Sequence, residues 1–392
     1  MKVAMISCWF RHQIYSDYAE DLRAALHERL DGGVTVVTGD CRCAVRDGDH
    51  FTNAVDQTAR FLTTPYEPNP PSKLKMASKL RQDWKIGRSY LELAADADVV
   101  HFQEVTNAFG TVPALGFLTA PSDKLRVVTV HELERFRKRF KSLYRLYNRA
   151  DAILVHGRGL KETLVDLGVD ERRIHIVPWG ARVASFVSDH REGILYYGGH
   201  HLWSGKGFED FLLALQIVHR SGTDVPATVI GFFEPEDLAA AQQRARDMGV
   251  DALIHWVDHP TRETYERLYA EALLTVIPYT GGSAVFPAAQ AMAHGTPVVA
   301  TRSVELPEYL GTAALYVDDN APVQIAMAIS QYLDNEGLRE RHAEMLLERA
   351  RAVVDWGAVA ERTLRIYRGE EAYIDPDPWA AVEKPVGSVS VS

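Results

Sequence analysis

The residues best equipped for chemistry in this chain of 392 stand in loops that follow short apolar runs. In Tyr197-Gly198-Gly199-His200-His201-Leu202-Trp203-Ser204-Gly205-Lys206-Gly207-Phe208, a glycine-rich loop carries Lys206 to the start of the next helical pattern. A lysine and backbone amides at such a place could hold a diphosphate, because helix N-termini present unpaired N–H groups to anions. A second loop, Pro278 to Pro287, contains Gly281-Gly282-Ser283-Ala284-Val285-Phe286 and leads into a helical stretch that includes Gln290. In the first half, Val127-Val128-Thr129-Val130-His131-Glu132 places a histidine at the end of an apolar run. A solvated lysine in an ordinary connecting loop, and a histidine that caps a strand beside Glu132, are the purely structural alternatives.

Elements that could position these residues alternate along the whole chain. Val3 to Ile6 reads as a strand, Asp17 to Leu30 as a helix with Asp17 and Glu20 in capping-box spacing, and Val34 to Thr38 as a strand. Strands follow at Val99 to Phe102, Leu125 to Val130, Ala152 to His156 and Ile174 to Val177, with helices after His131 and at Gly159 to Leu167. The stretch from Thr64 to Ser72 holds four prolines and reads as a surface loop. From Ile194 the series restarts and runs to the strand at Pro297 to Ala300. Short apolar runs joined by longer helical patterns imply parallel sheets with crossover helices. The expected fold class is α/β: two Rossmann-like doubly wound domains facing a central cleft, 1–180 and 181–368, followed by an irregular tail, 369–392.

Composition excludes several classes. Apolar residues at 46% and charged residues at 24% are ordinary globular values, and a net charge of −10 argues against a general nucleic-acid binder. Three cysteines, Cys8, Cys41 and Cys43, supply neither a disulfide framework nor a zinc-ligand spacing, which suggests reduced thiols in a cytoplasmic protein. The N-terminal Met1 to Cys8 looks like a first strand, and no apolar stretch approaches the length that spans a bilayer.

The strongest signal is Gln290-Ala291-Met292-Ala293-His294-Gly295-Thr296-Pro297-Val298-Val299-Ala300. It closely resembles the Glu-Ala-Met-Ala-x-Gly-Thr-Pro-Val-Val-Ala stretch of the retaining glycosyltransferase family 4 (glycosyl transferases group 1), and the resemblance continues through Leu306-Pro307-Glu308. Lys206-Gly207 match that family's Lys-Gly, with His201 where its arginine stands. The resemblance implies the GT-B fold and transfer of a sugar, with retention, from a nucleotide-diphosphate sugar. It further implies catalytic roles for His131 and Lys206, and donor binding by Gly199, His201, Lys206, Gly282, Ser283, Ala284, Val285, Phe286 and Gln290.

Two departures stand out. The family has two glutamates eight positions apart, against the transferred sugar and the ribose, where this chain has Gly282 and Gln290. Its N-terminal glycine pair is replaced by Cys8 to Gln13, and Trp9 or His12 could line the acceptor side. A catalytically degenerate nucleotide-sugar-binding protein and a sugar-nucleotide epimerase of the same fold are the alternatives. No cofactor and no metal are expected: Asp96-Ala97-Asp98 and Asp375-Pro376-Asp377 have a metal-binding spacing but unsuitable settings. The expected acceptor is a small or phosphorylated molecule, as in natural-product or glycan biosynthesis. Basic runs over Lys73 to Arg88 and Arg135 to Arg149 read as solvated helix faces and leave peripheral membrane contact open.

Overall fold

Runs such as Val3–Ser7 and Val99–Glu104 are too short for stable helices and apolar enough to be covered on both faces, and each becomes a strand of a parallel sheet. The structure is a computed structural model. It describes residues 1–7, 13–39, 60–62, 88, 91–92, 94–104, 115–131, 133, 144–185, 188, 190–199, 202–303, 305–370 and 378–379. They divide into two units, Met1–Gly180 with Trp356–Pro378, and Ala181–Asp355 with Trp379.

In the first unit, β1 (Val3–Ser7), α1 (Gln13–His27), β2 (Val34–Gly39), β3 (Arg60–Leu62), β4 (Val99–Glu104), α2 (Leu115–Thr119), β5 (Leu125–Val130), β6 (Ala152–Val155), α3 (Arg158–Asp166) and β7 (Ile174–Ile176) follow in chain order. The sheet order is β3-β2-β1-β4-β5-β6-β7, all parallel. The helix expected from Asp17 starts instead at Gln13, so Asp17 and Glu20 lie inside α1 and form no capping box. Leu22, Ala25 and Leu26 are buried as their spacing requires. The proline-rich loop and the helix expected directly after His131 fall outside the described residues.

The second unit runs β8 (Glu192–Gly199), α4 (Phe208–Arg220), β9 (Ala227–Gly231), α5 (Pro235–Asp247), β10 (Ile254–Asp258), α6 (Arg262–Glu271), β11 (Ala272–Ile277), α7 (Val285–Ala293), β12 (Val298–Thr301), α8 (Leu306–Leu310), β13 (Ala314–Val317), α9 (Pro322–Asp334) and α10 (Glu336–Val353). Its parallel sheet has the order β10-β9-β8-β11-β12-β13. The chain leaves β8 toward β9 on one side and returns to β11 on the other, so the carboxyl ends of β8 and β11 flank the switch point where ligands bind in such sheets.

The C-terminal stretch departs from the expected division. The helix α11 (Trp356–Tyr367) belongs to the first unit, where Trp356 packs 5.2 Å from the Tyr18 ring. Within the tail expected to be irregular, Trp379 is fully buried in the second unit, 4.5 Å from the Tyr309 ring and beneath the Arg349 guanidinium. Neither placement follows from local periodicity, because both partners are distant in sequence.

Candidate functional site

The two glycine loops of the second unit are joined at the switch point. Thr280 and Gly281 both donate their amides to the Gly205 carbonyl, at 3.0 and 3.1 Å. Gly205 and Gly207 adopt φ +69° and +66°, and a Cβ on Gly207 would fall 2.1 Å from the Pro278 carbonyl oxygen. The close approach therefore requires glycine at this position. Beneath it, the Tyr279 hydroxyl donates to the Tyr197 carbonyl at 2.6 Å and the Tyr196 hydroxyl to the Lys206 carbonyl at 2.9 Å.

This junction delivers Lys206 from the β8 loop to the β11 loop. Its Nζ donates to the Ser283 carbonyl at 3.3 Å and lies 4.2 Å above the Tyr279 ring. The ammonium thus sits beside the N-terminus of α7, whose first turn holds no acidic side chain and whose N-cap, Ala284, supplies no side-chain bond. By contrast α4 carries Glu209 and Asp210 in its first turn. A cation beside a helix start is an anion-attracting arrangement.

Gly199 closes β8 at φ +62°, and its carbonyl accepts from the Phe232 amide at 2.9 Å. Gly282 is exposed at φ +75°, where a Cβ would lie 3.5 Å from Lys206 Nζ. A glutamate there would be close to the ammonium but would occupy the left-handed region that non-glycine residues avoid. Ser283, Ala284, Val285 and Phe286 form the turn into α7, with Phe286 packed 4.9 Å from the Tyr197 ring. Gln290, on the same helix, is 5% exposed, and its Oε1 has no hydrogen-bond partner among the described residues. A buried acceptor left unpaired costs on the order of 1–3 kcal/mol, which a ligand donor would recover.

Glu305 escaped sequence reasoning. Carried on the loop after β12, its Oε2 accepts from the Ala284 amide at 3.3 Å and supplies a carboxylate to the start of α7. The only local signal was a charged residue just ahead of Leu306-Pro307-Glu308.

In the first unit, His131 directly follows β5 and His156 directly follows β6, so neighbouring carboxyl strand ends place the two rings together. His131 is 3% exposed. Its Nδ1 lies 2.9 Å from His156 Nε2 and its Nε2 3.0 Å from Gln103 Oε1. His156 Nδ1 donates to the Val177 carbonyl at 2.9 Å. On β4, Val100 and Phe102 enter the hydrophobic cluster, while His101 and Gln103 share the opposite face. His101 Nε2 lies 2.7 Å from Thr129 Oγ1, and its Nδ1 2.5 Å from the Tyr367 hydroxyl of α11. Burial depresses all three histidines: His101 to about 3, His156 to about 4, and His131 well below its usual value, with His156 and His101 adding repulsion. Both ring nitrogens of His131 thus face protein groups; Glu132, Trp9, His12 and His201 lie outside the described residues. A period of two in Val99-Val100-His101-Phe102-Gln103 and Val127-Val128-Thr129-Val130-His131 was the available signal for this polar column.

Asp98 accepts the Lys2 amide at 2.7 Å, at the amino end of its strand and remote from the end where ligands bind. Among the described residues no three His, Cys, Asp or Glu side chains cluster as metal ligands, and no described helix is long and apolar enough to cross a membrane. Of the basic runs only Arg88, Arg145 and Arg149 are described, the last two in a 3-10 turn.

Known proteins agree with this architecture. Residues 16–184 match the family model "Glycosyltransferase Family 4", and residues 191–335 match "Glycosyl transferases group 1". The chain is 26% identical to the MMP alpha-(1->4)-mannosyltransferase of Mycolicibacterium hassiacum, over 82% of this chain and 89% of that protein. It is 34% identical to the D-inositol 3-phosphate glycosyltransferase of a Nocardioides species, over 37% of this chain and 32% of that one. The crystal structure of Anabaena HepE in complex with UDP superposes with a TM-score of 0.71 at 13% identity, covering 94% of this chain and all of that one. With a doubly wound unit behind each segment that matches a glycosyltransferase family model, the chain has the two-domain GT-B architecture.

Proposed function

We propose that the protein transfers a sugar, with retention at the anomeric carbon, from a nucleotide-diphosphate sugar to a small or phosphorylated acceptor in the cytoplasm. The observation that carries the reading is the convergence, at one switch point, of the Lys206 ammonium and the start of α7, the helix that also bears the unpaired acceptor of Gln290. In this assignment Lys206, His201 and the amides from Ser283 to Phe286 hold the diphosphate, Gly199 leaves room for it, and Gln290 Oε1 accepts a ribose hydroxyl. His131 is assigned a catalytic role, and Trp9 and His12 are assigned to the acceptor side. The mannosyl transfer named for the Mycolicibacterium relative and the UDP bound by HepE support a nucleotide-sugar donor.

As the diphosphate departs, negative charge grows on it, and a fixed cation with helix amides stabilises that charge without reorganisation. The reading assigns this work to side chains and amides, so donor hydrolysis should persist in EDTA. The test is thermal stabilisation by a panel of nucleoside diphosphates, followed by donor hydrolysis and transfer. Absence of stabilisation by every nucleotide would sink the donor assignment. Stabilisation without hydrolysis or transfer would mark a nucleotide-sugar-binding protein instead.

A further inference from the structure

The hydrogen bonds around His131 fix how many protons the cluster holds. Val177 offers only a carbonyl, so His156 Nδ1 must carry a proton. One further proton lies between His156 Nε2 and His131 Nδ1, 2.9 Å apart. With Gln103 Oε1 facing His131 Nε2 at 3.0 Å, that nitrogen must also be protonated. Two rings then share three N–H bonds and one positive charge.

Turning the Gln103 amide about its Cγ–Cδ bond exchanges its oxygen and nitrogen and reverses the requirement. The amide then donates to a bare His131 Nε2, and the two rings share two N–H bonds and no charge. The turned oxygen faces His101 Nε2, 3.3 Å from the amide nitrogen in the first orientation, so His101 must now donate from Nε2. Its bare Nδ1 accepts from the Tyr367 hydroxyl, which burial keeps protonated. Every bond then runs one way, from Tyr367 through His101, Gln103, His131 and His156 to Val177. In the charged state His101 donates from Nδ1 to Tyr367 instead. Among the described residues, the rings of Tyr18 from α1, 4.8 Å from His131, and Trp179, 5.0 Å from His156, also pack against the pair, and neither carries a charge. Burial and mutual repulsion of the histidines therefore favour the uncharged state.

We propose that Gln103 is a positioning residue that holds His131 in a neutral form, its Nδ1–H on His156 and its Nε2 lone pair on the Gln103 amide. The Gln103 amide turns whenever the pair takes up a proton. This rests on the reading of His131 as catalytic. A glycosyl group losing its diphosphate develops positive charge at the anomeric carbon, and a catalytic imidazolium would oppose it.

Nitrogen-15 spectra of the histidine side chains in the full chain test the proton count without reference to activity. At pH 7, His131 and His156 should both be Nδ1–H tautomers and His101 an Nε2–H tautomer. On acidification, one proton should enter the His131–His156 pair while the His101 proton moves to Nδ1. An Nε2–H on His131 at pH 7, or a His101 tautomer that ignores protonation of the pair, would overturn the proposal. Gln103→Glu, which can only accept once ionised, should charge the pair at pH 7 and lower kcat by on the order of tenfold or more, leaving donor KM nearly unchanged. If this variant charges the pair yet turns over like the wild type, the catalytic half of the proposal is overturned. The wild-type spectra decide the tautomers even if no transferase activity is found, so the two readings fail separately.

Discussion

Gly281 donates its amide to the Gly205 carbonyl at 3.1 Å, and a Cβ on Gly205 would lie 3.1 Å from Gly281 Cα. Two loops some seventy residues apart thus meet backbone to backbone, leaving Lys206 to cross between them.

The junction can be tested by its strain. Gly207→Ala should destabilise the protein by at least about 2 kcal/mol, since left-handed φ and contact with Pro278 act together. Gly222→Ala is the control: its φ of +92° is also left-handed, but nothing lies within 4 Å, so only about 1 kcal/mol should be lost. Urea unfolding of the two variants compares them directly, and equal losses would refute the close approach.

Position 290 should separate stability from binding. Gln290→Leu removes a buried acceptor without a partner, so the unliganded protein should melt at the same temperature or higher. The same change should weaken nucleotide binding by about 1–3 kcal/mol. Lys206→Ala should weaken binding of a nucleoside diphosphate more than of the nucleoside. Calorimetric titration of both variants with both ligands measures the contrast; a parallel loss would take Lys206 away from the phosphates.

Glu305 brings negative charge to the amide of Ala284, where the proposed diphosphate would also seek donors. Glu305→Gln should therefore raise affinity for a nucleoside diphosphate by a few-fold, more strongly at low salt. Unchanged affinity across ionic strength would place the diphosphate elsewhere.

Acid should destabilise the first unit through its histidines. His101 and His156 have folded pKa values near 3 and 4, against about 6.5 when unfolded, so below pH 6.5 the unfolded chain binds protons that the folded chain refuses. Their stabilising contribution is fully present above pH 6.5 and is lost as the pH falls toward 4, each group steepening the slope by up to about 1.4 kcal/mol per pH unit. Melting curves between pH 7 and 5 should show a shallower slope for His156→Gln than for the wild type, whatever its absolute stability.

Trp379 fills a buried site in the second unit. Trp379→Ala should cost about 3–5 kcal/mol by vacating a fully buried aromatic site against Tyr309 and Arg349. A loss below 1 kcal/mol in chemical denaturation would show that the indole is not packed there.

Much of the molecule was legible in order along the chain. Val3–Ser7, Leu125–Val130 and Phe208–Arg220 appear where their apolar spacing predicts them, because a strand or helix buries a face set by residues a few positions apart. The loops bearing Gly199, Lys206 and Gly282 were legible for a related reason: a run of glycines between a strand and a helix marks tight backbone whatever its neighbours. The start of α1 was misplaced by a turn, since Asp17 and Glu20 have capping spacing but lie inside the helix.

Sequence alone thus determined two alternating strand-and-helix series and the residues that close them. Tertiary structure decided which distant groups share a proton, a carbonyl or a pocket: Glu305 at Ala284, Tyr367 at His101, Gln103 at His131, Trp379 under Arg349. Local periodicity encodes which face of an element is buried, but a hydrogen bond between residues as far apart as His101 and Tyr367 exists only once the sheet order has brought their elements together.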